Sequence, residues 1–107
     1  MEFLNKVELR GRVGRVSVGQ VGPFQRVSLS VCTEHAIKSK DGALVVETAW
    51  HRVTAFAGSP DTEGVENLAP GDAVFVAGRL RNNHYIATDG SKRDIIEILA
   101  HKVKKEE

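Results

Sequence analysis

Residues 48–56 read Thr48-Ala49-Trp50-His51-Arg52-Val53-Thr54-Ala55-Phe56, and the parity of this stretch decides the fold. In an extended strand, successive side chains point to opposite faces. One parity carries Trp50, Arg52, Thr54 and Phe56; the other carries Ala49, His51, Val53 and Ala55. Turning the first set inward would bury Arg52, which is costly unless its charge is paired. Turning Val53 and Ala55 inward predicts a strand from about Val45 to Ala57, the longest in the chain. That strand exposes Trp50, Arg52 and Phe56 side by side.

The same period of two extends in both directions. Val7, Leu9 and Val13 alternate with Glu8, Arg10 and Arg12, and Gly11 and Gly14 mark a bend or bulge in this first strand. Gly19, Gly22 and Pro23 signal a turn. Val27, Leu29 and Val31 alternate with Ser28, Ser30 and Cys32, a second strand in which Cys32 reads as a small buried filler. Residues 33–44 read as a loop with a hairpin turn at Asp41-Gly42. Ser59-Pro60-Asp61 opens a short helix over 59–68 with Val65 and Leu68 on its apolar side, and Pro70-Gly71-Asp72 stops it.

A fourth strand points Val74, Val76 and Leu80 inward and Phe75, Arg79 and Arg81 outward. Asp89-Gly90 is a second hairpin signal, residues 94–100 form a fifth strand, and the charged run from Lys102 to Glu107 is expected to fray. The predicted fold is therefore all-β: a five-stranded OB-fold barrel with one short helix between strands 3 and 4. Residues 1–103 make the domain, and residues 104–107 are a charged end.

Composition sets the bounds. The chain has 107 residues, enough for one domain with one core. Fifteen Lys and Arg against fourteen Asp and Glu leave a net charge of +1, so a basic surface can come only from placement. Residues 1–52 carry 8 basic and 5 acidic side chains and residues 53–107 carry 7 and 9, so a polyanion should favour the first half. The single Cys32 excludes a disulfide framework and any zinc site built on paired cysteines, and fits a reducing cytoplasm. No apolar run approaches the ~20 residues of a membrane helix, and no secretory signal is present, so the expected location is cytoplasmic.

The exposed parity of the third strand carries the chemistry. Trp50 and Phe56 offer two aromatic planes with the Arg52 guanidinium between them. Bases stack on such planes whatever their identity, and arginine adds phosphate or cation–π contacts. The opposing reading, Trp50 and Phe56 as ordinary core, is open from periodicity alone.

At this point the sequence resembles the bacterial single-stranded DNA-binding protein family. The resemblance runs through Thr48-Ala49-Trp50-His51-Arg52-Val53 with its downstream Phe56, the opening Asn5-Lys6-Val7-Glu8-Leu9-Arg10-Gly11, and Leu68-Ala69-Pro70-Gly71-Asp72 leading into Gly78-Arg79-Leu80. It covers about residues 4–100. It implies an OB-fold that binds single-stranded DNA without sequence preference in replication, recombination and repair. It also implies four OB domains per working unit, hence a homotetramer, which a dimer of dimers would build. Trp50 and Phe56 match the family's strand-three aromatics, and Tyr85 matches its hairpin aromatic, conventionally Trp.

The departures are as informative. Ala36 stands where the family has a loop Trp, and Arg15-Val16-Ser17 replaces its Asp-Pro-Glu. The acidic, partner-recruiting tail of the family is not found before Glu107, as expected of a trimmed chain or a tail-less paralogue, so no tail-mediated partner is inferred. The candidate cations are Arg52 first, then Lys38, Arg12 and Arg81, with Lys6, Arg10 and Arg79 behind them.

Enzyme readings lack parts. His35, His51, His84 and His101 show no metal-ligand spacing, and there is no nucleophile elbow, phosphate loop or dinucleotide fingerprint. No catalytic residue, metal or cofactor is predicted. The alternative function is an OB-fold protein–protein module of a replication-restart complex, with the third strand as its interface and weak nucleic-acid binding.

Overall fold

The computed structural model describes residues 1–107. Five strands follow in chain order: β1 (Val7–Val21), β2 (Phe24–Lys38), β3 (Leu44–Phe56), β4 (Ala73–Ile86) and β5 (Lys92–Glu106). They close into a barrel in the order β1-β2-β3-β5-β4. Neighbours are antiparallel except β3 and β5, which pair in parallel through Val53–Ile98 and Thr54–Leu99. This is the expected OB barrel, and its inward parity is the expected one. Val13, Val27, Leu29, Val31, Val53, Ala55, Val74 and Val76 form a single buried cluster with Ile98 and Val103. Most are β-branched, which suits a pleated surface, and burying each such side chain contributes about 1.5–3 kcal/mol.

β1 serves two neighbours. Residues 7–12 pair with β4, and residues 12–21 pair with β2. The strand bends between them, with a register shift between Val13 and Arg15, where Gly14 forms the expected bulge. A Cβ at Gly14 would lie 2.4 Å from Cζ3 of Trp50, so only glycine lets the indole settle there.

Several expectations are corrected. β2 runs through Lys38, so the predicted loop over 33–44 shrinks to a turn; Thr33–Ala49 through Lys38–Leu44 pair as a protruding arm. Alternation weakens there because neither face of the arm enters the barrel. β3 has 13 residues, against 15 in each of β1, β2 and β5, so it is not the longest strand. The helical segment is two single 3₁₀ turns, Pro60–Thr62 and Val65–Asn67, with buried Thr62, Val65 and Leu68.

Leu80 is 49% exposed rather than inward. β4 pairs with β1 only as far as Gly78 and then continues with β5 alone, so Leu80 lies beyond the closed part of the barrel. The Asn5 side chain takes β1's place there, bonding both the N–H and the C=O of Leu80. The charged end does not fray. Val103 is buried, Glu106 pairs with Ala73, and Lys104 Nζ donates to the Pro60 carbonyl at 2.9 Å. Cys32 is free but only partly buried. No helix is long and apolar enough to cross a membrane.

Candidate nucleic-acid interface

The outward parities of β1, β2 and β3 align into rows across the sheet. Arg12, Cys32 and Trp50 form one row; past the bulge, Arg15, Ser30 and Arg52 form the next; then Ser17, Ser28 and Thr54; then Gly19, Arg26 and Phe56. Residues paired across a sheet share a face, so four arginines, three serines and two aromatics are displayed together. Beside Trp50 lies an open groove of about 620 Å³, lined by Arg15, Arg26, Arg52, Ser28 and Ser30 among others.

Trp50 rests on the β1 bulge yet stays 62% exposed, and Phe56 is 37% exposed. Both positions are outward, as the parity argument requires. Six steps along the strand separate them, about 20 Å.

Thr54 shares their parity but is buried. Its hydroxyl donates to Glu97 of β5 at 2.8 Å, and this contact seals the groove floor. Glu97 is 2% exposed and also accepts from Arg81 Nη2 at 2.5 Å and Asn83 Nδ2 at 3.3 Å. Burial pushes the Glu97 pKa up. Hydrogen bonds from Arg81 and Thr54, with the charges of Arg81 and Arg26, outweigh that and hold it below the ordinary carboxylate value.

The remaining candidates divide by place. Arg12 donates to the Gly71 carbonyl at 3.0 Å and stands in the Trp50 row. Lys38 is exposed at the end of the arm, and the register puts it on the Trp50 face. Tyr85 is exposed on the β4–β5 ribbon and shares a face with Arg81 and Asn83. Arg79 is exposed beside Phe56, in a second hollow that also holds Asn5 and His101. Arg81 is engaged by Glu97, so its charge is largely neutralised within the fold.

The structure does not bring Lys6 and Arg10 to this face. Lys6 lies 3.6 Å from Glu8, while Arg10 pairs with Glu106 at 2.9 Å and covers the Phe75 ring at 5.5 Å. Arg10 lies in the part of β1 that pairs with β4 alone, whereas Arg12, where β1 passes from β4 to β2, pairs with both. Sequence reading missed Arg15 and Arg26. Arg26 could have been found by carrying the Ser28–Ser30 parity one step back; Arg15 could not, because the bulge resets the phase. His51 bonds Thr33 Oγ1 at 2.8 Å and reads as a satisfied structural histidine.

Comparison with known proteins gives a consistent picture. The model of the single-strand binding protein family matches residues 4–105. The single-stranded DNA-binding protein 1 of Xylella fastidiosa is 35% identical over 97% of this chain and 78% of its own length. The single-stranded DNA-binding protein of Xanthomonas axonopodis pv. citri is 34% identical over 94% of this chain, which spans 57% of that protein. Among solved structures, a Plasmodium falciparum SSB in complex with ssDNA superposes with a TM-score of 0.81 at 23% identity, covering 100% of this chain and 98% of that one. A deletion mutant of the Thermus aquaticus single-stranded DNA binding protein gives 0.79 at 23% identity, covering 97% of this chain and 51% of that one. At such identities the structural likeness speaks for the fold.

Proposed function

The chain belongs to the single-strand binding protein family, and from that premise we propose that it binds single-stranded DNA without sequence preference. Members of this family are binding proteins rather than enzymes. Bases stack on Trp50, Phe56 and Tyr85, and phosphates are drawn to Arg52, Lys38 and Arg12, with Arg79 beside Phe56. Arg81 serves by positioning Glu97. The observation that carries this reading is an exposed, backbone-seated Trp50 at a groove lined by arginines, with Phe56 exposed on the same face of β3. Stacking is indifferent to base identity and phosphate contacts are common to every nucleotide, so neither reads sequence.

The role that follows is protection of exposed strands in replication, recombination and repair. The working unit is a homotetramer of OB domains, as the family resemblance implies, each domain covering ~4–16 nucleotides. Sedimentation or light scattering tests the assembly: a monomer at micromolar concentration would overturn it. The function is tested by titrating oligo-dT while following Trp50, the single tryptophan. Strong quenching that weakens as salt is raised is the expected result. Unchanged emission together with no gel shift would overturn the reading in favour of a protein–protein module.

A further inference from the structure

The outward parity of β2 does not end at Arg26; two residues earlier it reaches Phe24, at the start of the strand. Phe24 is 58% exposed and pairs with Val21 across the β1–β2 turn. Two strand residues are separated by about 7 Å, so Phe24 stands one step along the strand from Arg26. Arg26 in turn lies directly opposite Phe56. A guanidinium is thus flanked by two exposed rings. Arg26 Nε is also buried with no hydrogen-bond partner. Burying such a donor unpaired is costly, and the Arg26 side chain lines the open groove, where a phosphate can meet its charge. Arg15 lines the same groove and has no acidic partner.

The other end of the face is different. Beyond Trp50, the arm presents Glu34 with Thr48, Ala36 with Val46, and Lys38 with Leu44. It holds no aromatic ring on that face, and the Glu34 carboxylate opposes a phosphate there.

We propose that Phe24, Arg26 and Phe56 form an additional stacking element, in which single-stranded DNA leaves Phe56 along the β1–β2 hairpin. One base lies on Phe56, another on Phe24, and the intervening phosphate sits on Arg26. The inference rests on the single-stranded DNA reading and adds where the strand goes.

The test places an indole at the new position. In a Phe24→Trp, Trp50→Phe double variant, emission is followed during titration with oligo-dT, with a gel shift in parallel. The expected result is strong quenching. In the otherwise unaltered protein, Phe24→Ala should weaken binding about tenfold. Arg26→Gln should lower the slope of log K against log salt by about 0.7, the value for one phosphate contact on a single strand. Phe24 is exposed, so circular dichroism should show the fold intact in the alanine variant.

A gel shift without any change in indole emission, or Phe24→Ala binding as tightly as the unaltered protein, overturns the inference and leaves the parent reading standing. Emission that shifts with protein concentration alone also overturns it, because Phe24 would then pack against a second copy. Failure of the unaltered protein to bind oligo-dT overturns the parent reading itself.

Discussion

The two outer faces of this barrel use their basic side chains differently. On the β1–β4–β5 side, several cations are engaged within the fold, while Arg79 stays exposed beside Phe56. Lys6 meets Glu8, Arg10 meets Glu106 and Phe75, Lys105 meets Asp72, and Lys104 meets the Pro60 carbonyl. On the β1–β2–β3 side, Arg15, Arg26 and Arg52 line an open groove beside serines and exposed rings, and no acid lies within ion-pair distance of them. A net charge of +1 therefore conceals a functional asymmetry. Attraction of a polyanion depends on which charges remain unpaired and lie near one another.

The largest effect should fall at the junction of the groove with β4 and β5. Arg81→Ala removes the main partner of a buried carboxylate and should destabilise the protein by about 3 kcal/mol, the low end for a broken buried pair because Arg81 is partly exposed. The shift in urea midpoint measures it. The same pair predicts a pH dependence. Glu97 is held below its ordinary pKa when folded, so its contribution is present above about pH 4 and is lost as pH falls through the folded value. Glu97→Gln should flatten the acid limb of an unfolding-midpoint profile; an unchanged limb would assign it to other carboxylates.

Next in size is Trp50→Ala. Losing one stacked base should weaken oligo-dT binding by about 2 kcal/mol, roughly thirtyfold. Filter binding suits this variant, since it has no tryptophan signal.

A smaller and sharper contrast tests the faces against each other. Arg52→Gln should reduce the salt slope of binding by about 0.7, whereas Arg10→Gln should leave that slope unchanged. Equal effects at both positions would break the comparison, showing that DNA crosses both sheets. The smallest expected change is a gain. Ala36→Trp puts a ring on the arm's Trp50 face and should tighten binding several-fold. No gain would mean that the strand does not reach the arm.

Much of the barrel was legible because its core is written in period two. Val27 and Leu29 lie opposite Ala55 and Val53, and a slip of one residue would have exposed them all. The arm from Thr33 to Ala49 was illegible for the same reason: with both faces in solvent, alternation carries no signal. Leu80 was misread because pairing with a buried residue does not bury a side chain where the neighbouring strand has ended.

The sequence by itself determined the succession of strands along the chain, most of the inward set and the outward placement of Trp50, Arg52 and Phe56. Each follows from local parity and from the cost of burying an unpaired charge. Only the tertiary structure decided which arginines act together. Arg10, Arg15, Arg26, Arg52 and Arg81 are equivalent in a composition, but Glu106 and Glu97 engage two of them from 96 and 16 residues away. The bulge at Gly14 and the close of the barrel bring the other three to one groove. Pairing over such distances is set by how strands meet, and no local pattern encodes it.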